Sequence, residues 1–163
     1  MGTVTHIYER LFLQCPYVRA REYLREALQA AADGKMSETL PLTAPIPLVP
    51  GALEKSVLVR YERGRDPLHF DEPWNVYWTP EGGGPYPDFA GQMTVRADES
   101  YRGAILELAG DYAPPFGAVG RAFDMALGAK IASATAKALL HQIALRMEER
   151  YQSEEAAKNQ ATG

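Results

Sequence analysis

Polar and apolar positions alternate with a period of two along much of the chain, then give way near residue 116 to a helical period that continues for about thirty residues. Residues 3–13, rich in β-branched and aromatic side chains, predict a first strand. Pro16 suits the first turn of a helix that carries Tyr17, Leu24, Leu28 and Ala31 at helical spacing and stops at Asp33-Gly34. Pro41, Pro45, Pro47 and Pro50 each lack a backbone donor, so 41–50 is an extended edge or a loop and never a central strand. Four further strands follow. Residues 53–63 alternate Val57, Val59 and Tyr61 with Leu58, Arg60 and Glu62. Residues 68–79 set Trp74, Val76 and Trp78 on one parity, with Pro73 breaking the first half. Residues 89–97 place Phe89, Gly91, Met93 and Val95 on one face against Gln92, Thr94 and Arg96. Residues 103–112 carry Leu106 and Leu108 around Glu107. The turns between them (63–67, 81–85 and 98–100) are short and polar, which predicts an antiparallel meander, because parallel neighbours need crossovers of a dozen or more residues.

The terminal helix must cover the apolar face of that sheet, being the one predicted element long enough to lie across it. At 100° per residue, Phe116, Gly120, Phe123, Leu127, Ile131, Ala134, Ala138, His141 and Leu145 form a stripe expected to face the sheet. Met125, Ala129, Ala132, Ala136, Leu140, Ile143 and Met147 gather on the other side. A helix apolar on two sides is buried on two sides, which leaves open packing on the early helix, a homodimer, or a partner-binding module without a ligand. After Tyr151 the run to Gly163 is polar and small and is expected to fray, giving a domain of 1–151 and a tail of 152–163.

Composition narrows the function. The 163 residues suit one domain, and a net charge of −4 with no basic cluster argues against nucleic acid. The single cysteine, Cys15, has no disulfide partner and is expected to be a small buried or capping residue. Neither a signal segment nor a long apolar run stands out, so a cytoplasmic protein without membrane insertion is expected. His6, His69 and His141 lie too far apart for a metal motif, Gly82-Gly83-Gly84 lacks the lysine of a phosphate loop, and no cofactor motif is present. Glu107, Asp111 and Asp124 surround the strand-to-helix joint without a defined pair. His141, on the expected sheet-facing stripe, is the candidate catalytic residue for proton transfer.

The run Gly110-Asp111-Tyr112-Ala113-Pro114-Pro115-Phe116-Gly117-Ala118-Val119-Gly120-Arg121-Ala122-Phe123-Asp124 before an Ala-rich helix resembles the closing segment of START-like (SRPBCC) helix-grip proteins. Val76-Tyr77-Trp78-Thr79-Pro80 and Pro87-Asp88-Phe89-Ala90-Gly91 resemble strand segments of the same group. The resemblance covers residues 50–150 well, and the first 50 only by element order. It implies an α+β fold, a curved antiparallel sheet wrapped around the long C-terminal helix, with an apolar cavity and two short helices after the first strand; only one early helix is visible in this sequence. Members of the group bind lipids, hormones or polyketides, and some are cyclases or aromatases. The expected ligand-binding residues are Tyr61, Trp74, Trp78, Phe89, Met93, Arg96, Phe123, Leu127, Ile131 and His141. They would hold a small hydrophobic or amphipathic ligand such as a lipid, isoprenoid or polyketide. A cyclase, aromatase or dehydratase using the same cavity is the catalytic alternative.

Overall fold

The computed structural model describes residues 5–33, 38–45, 52–64, 72–81, 88–113 and 121–163, without the side chains of 38–45, 52–55 and 121–127. The chain runs β1 (Thr5–Leu13), α1 (Tyr17–Asp33), β2 (Glu38–Pro45), β3 (Ala52–Arg63), β4 (Trp74–Pro80), β5 (Asp88–Ala97), β6 (Ala104–Ala113) and α2 (Arg121–Ala161). All six strands join one antiparallel sheet in the order β1-β6-β5-β4-β3-β2. This is the helix-grip architecture: a curved sheet whose concave face is covered by helices. The proline-bearing segment is an edge strand, pairing Pro41 with Ser56 and Pro45 with Ala52 on one side only, where a missing donor does least harm. The turns at 65–71 and 82–85, the joint at 114–120, His69, Pro47 and Pro50 lie outside the described residues.

Local chemistry explains where elements begin and turn. Cys15 is fully buried ahead of α1, and the Pro16 carbonyl accepts the first helical bond from the Ala20 amide at 2.9 Å. The β5–β6 hairpin turns on Asp98. Its carboxylate accepts from the Ser100 hydroxyl at 2.7 Å and the Gly103 amide at 3.2 Å, while Tyr101 takes a left-handed φ of 57° to close the turn.

Burial follows the strand period. On β3 to β6 the concave side carries Val57, Val59, Tyr61, Trp74, Val76, Trp78, Phe89, Met93, Val95, Leu106, Leu108 and Tyr112, all buried. Arg60, Glu62, Gln92, Arg96 and Asp111 face out. Helix α1 lies over β3 and β5 through Ala20, Tyr23, Leu24 and Leu28. Helix α2 lies mainly over β1, with further contact to β6 and β2.

Two expectations for α2 are corrected. The buried face is Ile131, Ala132, Thr135, Ala136, Leu139, Leu140, Ile143, Ala144 and Met147. Ala132, Ala136, Leu140, Ile143 and Met147, expected on the second apolar side, are therefore the residues turned to the core. Leu145 is 50% exposed and His141 is exposed. The wide stripe of branched side chains and methionine takes the core, because burying Leu or Ile removes far more apolar area from water than burying Ala134 or Ala138. The second correction is at the end: α2 continues to Ala161 rather than fraying after Tyr151. The Tyr23 hydroxyl donates to Glu154, Arg150 pairs with Glu26 and with Glu154 at 3.3 Å, and Lys158 pairs with Glu155 at 2.7 Å. Tertiary and i,i+3 or i,i+4 pairs supply what the polar sequence lacks in apolar contact.

Candidate functional site

The concave face of β3, β4, β5 and β6 is built on aligned registers. Val59 lies opposite Trp78 and Trp78 opposite Phe89; Val76 lies opposite Gly91 and Gly91 opposite Gly110; Trp74 lies opposite Met93 and Met93 opposite Leu108. Because opposite residues share a face, these rows put Trp78 beside Phe89 and Trp74 beside Met93, one pair on each side of the Val76–Gly91–Gly110 row. The middle row has no side chains at Gly91 and Gly110, and the Phe89 ring fills that gap. A Cβ added at Gly110 would come within 2.6 Å of Phe89 Cζ, and one at Gly91 within 2.5 Å of the same atom. On its other side the Phe89 ring stacks on Trp78, centroids 3.9 Å apart and planes 10° from parallel.

This surface is shut off from bulk solvent: Tyr61, Trp74, Trp78, Phe89 and Met93 are each 0 to 3% exposed. The Trp78 indole nitrogen, Nε1, is buried there with no hydrogen-bond partner. The cover over this face is fastened by Glu72, just before β4. Its carboxylate accepts two bonds from Arg25, at 2.8 and 2.9 Å, and lies 3.3 Å from Arg21, both on α1. The Arg25 hydrogen bonds hold the Glu72 carboxyl below the usual carboxylate range against an opposing push from desolvation. Glu72 reaches this position with a left-handed φ of 41°, a conformation that needs such fixed partners to persist.

Polar groups reach the concave side at its margins. Glu9 of β1 points under α2, accepts from the Ser133 hydroxyl and lies 3.9 Å from Lys137 Nζ. The buried Cys15 thiol is pushed up to about 11, by desolvation first and then by the Glu148 charge, so it stays a thiol. Between α1 and α2 a recess of about 300 Å³ is lined by Tyr23, Glu26, Ala27, Arg146, Met147 and Arg150, with the Arg150 guanidinium 4.5 Å above the Tyr23 ring. Burial, with the Glu154 hydrogen bond second, raises the Tyr23 hydroxyl to about 12.

Of the ten residues expected to bind ligand, Tyr61, Trp74, Trp78, Phe89 and Met93 share the concave sheet face, and Ile131 is buried on α2 in the same core. The other four are not in that set. Arg96 is on the convex face, where its guanidinium donates to Glu107 at 2.7 Å, because residues 89 and 96 have opposite parity. His141 stands on the exposed side of α2. The side chains of Phe123 and Leu127, like that of Asp124, lie outside the described residues. The remaining carboxylates of the joint also face out. Glu107 accepts from Tyr8 at 2.6 Å as well as from Arg96, and Asp111 lies 2.9 Å from His6 Nδ1. Desolvation pulls the Glu107 carboxyl upward, but the Tyr8 and Arg96 bonds together outweigh it and hold the carboxyl low. Sequence reasoning did not single out the Gly91–Gly110 row, although both glycines fall on inward positions of consecutive strands, nor Glu9 or Glu72. Among the described residues, no three His, Cys, Asp or Glu side chains gather as metal ligands. No described helix is long and apolar enough to cross a membrane.

Comparison with known proteins agrees with this architecture. No protein-family model matches the sequence, and no curated protein matches it. Among solved structures it is similar to the Zhui aromatase/cyclase from Streptomyces sp. R1128, at 14% identity over 90% of this chain and 95% of that one, TM-score 0.54. It is also similar to TTHA0849 from Thermus thermophilus, at 14% identity over 88% and 97%, TM-score 0.51. A third likeness is to Ara h 8.0201, at 12% identity over 92% and 99%, TM-score 0.52. At these identities what is shared is the fold.

Proposed function

The chain has the helix-grip fold of the START-like (SRPBCC) superfamily, and from that premise we propose that it binds a small hydrophobic or amphipathic molecule, such as a lipid, an isoprenoid or a polyketide, against the concave face of β3 to β6. The observation that carries this is the buried aromatic face formed by the Trp78–Phe89 and Trp74–Met93 pairs with Tyr61, on either side of side-chain-free backbone at Gly91 and Gly110. A ligand site needs a mostly apolar surface with few polar anchors, and this face has that composition. Both tryptophans of the chain are on this face, so any molecule that enters changes their emission.

Holding is favoured over turnover. Cyclase, aromatase or dehydratase chemistry needs a group that moves a proton beside the ligand; His141, the first candidate for that role, faces solvent, which leaves such chemistry to the buried Tyr61 on the concave face. The partner-binding alternative loses its surface too, since the apolar side of α2 on which it relied is the buried one. Transport of the ligand is the proposed cellular use. The test is native mass spectrometry and tryptophan emission against a panel of fatty acids, isoprenoids and aromatic polyketides. A retained ligand with shifted emission is expected; a protein that answers to no member of the panel refutes the role.

A further inference from the structure

A buried indole N–H without an acceptor is a penalty that the closed packing carries and that a complex can remove. Trp78 is 1% exposed, Nε1 is shut off from water by neighbouring atoms, and one face of its ring is covered by Phe89. Its opposite partners across the sheet, Val59 and Phe89, offer no side-chain acceptor. The large side chains two rows away on the same face, Trp74 and Met93, supply a second donor and a weak thioether acceptor. We infer that Trp78 is the specificity-determining residue of the concave site: its Nε1–H donates to a carbonyl-type oxygen on the ligand, so the site selects an acceptor-bearing ring or chain over the hydrocarbon of equal shape. This inference rests on the ligand-binding role above and adds the chemistry that decides which ligand is kept.

The preference has a direction and a size. A pure hydrocarbon leaves the donor unpaired both before and after binding, so it gains nothing at that atom. A ligand oxygen gives up hydrogen bonds to water on entry but relieves an existing unpaired donor, which favours it by about fivefold to a hundredfold. The Phe89 ring lies between Trp78 and the Gly91–Gly110 gap.

The experiment uses fluorene and 9-fluorenone, which differ at one carbon, a methylene in one and a carbonyl in the other. Their dissociation constants are measured by calorimetry on the whole protein and on Trp78→Phe, and the ratio of ratios removes the difference in hydration of the two probes. The fluorenone preference is expected to fall by fivefold or more in Trp78→Phe. Equal ratios in the two proteins, with both probes binding, overturn the Trp78 assignment and leave the ligand-binding role standing. Binding of neither probe, together with no response across the panel above, overturns both. Should Trp78→Phe not fold by circular dichroism, the two indole N–H resonances of the unmodified protein decide the matter. The one assigned to Trp78 by its contacts to the Phe89 ring must move downfield with fluorenone and not with fluorene; identical shifts refute the hydrogen bond.

Discussion

Adding one methyl group at Gly110 tests whether the concave face is as tightly closed as its geometry states. Inside a strand, glycine is normally worse than alanine by about 0.5–1 kcal/mol, so Gly110→Ala would stabilise an open site. Here the new Cβ would lie 2.5 Å from the Ala90 carbonyl oxygen and 2.6 Å from Phe89 Cζ, and closer still to Gly91 Cα. Two of these neighbours are backbone of the adjacent strand, which cannot rotate away, and the third is a ring pinned against Trp78. Overpacking of this kind costs about 1–3 kcal/mol, and loss of the ring stack adds about 0.5–1.5 kcal/mol. Set against the propensity gain, the net loss is about 2 kcal/mol, or roughly 4–8 °C in Tm for a chain of this size. Urea unfolding followed by circular dichroism measures it, with near-ultraviolet ellipticity reporting the Trp78–Phe89 stack. Gly163→Ala, whose nearest atom is 3.9 Å away, serves as the control and should stay within about 0.5 kcal/mol of the parent. A Gly110→Ala protein as stable as its parent, or more so, refutes the claim that Phe89 fills the gap.

Other substitutions probe the remaining parts. Leu140→Ala, at a position 1% exposed, should lose about 2–5 kcal/mol in chemical denaturation, whereas Leu145→Ala, at 50% exposed, should lose under about 0.5 kcal/mol; the reverse order would restore the other face of α2 to the core. Because Glu72 has a folded-state pKa lowered from 4.5, the stability it contributes is present above that value and is lost as pH falls through the depressed folded one. Glu72→Gln should therefore flatten the acid limb of the stability profile by about 0.5–1 kcal/mol, as partly exposed pairs allow, and an unchanged limb would contradict the clamp. With its thiol near 11, Cys15 is about one part in a thousand ionised at pH 8, so a disulfide reagent should label it only as fast as the protein unfolds; rapid labelling of the native protein would refute its burial.

The strands were legible because the strand period is exact and the sequence keeps it. Trp74, Val76 and Trp78, or Phe89, Gly91, Met93 and Val95, cannot share a face in any other regular structure, and their burial follows. The same parity already separated Arg96 from Phe89, so placing it with the ligand residues went against the pattern itself. The edge position of β2 was legible from Pro41 and Pro45, which a central strand does not accept. Helix α2 was harder. Apolar residues surround it on nearly every side, and a count that weighs Ala134 or Ala138 like Leu139 or Ile143 has no clear direction; volume, not polarity, chose the buried face and turned His141 outward. The orphaned Trp78 nitrogen and the Glu72 clamp are tertiary facts. Each depends on what another strand or helix brings within a few ångströms, and no local spacing announces them.

The strand order has a consequence for assembly. β1 pairs only with β6, joining residues such as His6 and Asp111 that are 105 positions apart, and α2 rests mainly on β1. A growing chain can zip β2 through β6 by successive hairpins, but the seam between its first and last strands has to wait, since closing so wide a loop is entropically slow. Until then the long helix has no complete floor. Clipping off the first dozen residues would thus remove more than one ribbon: it would bare β6 as a sticky edge and strip the main support of α2 at the same stroke.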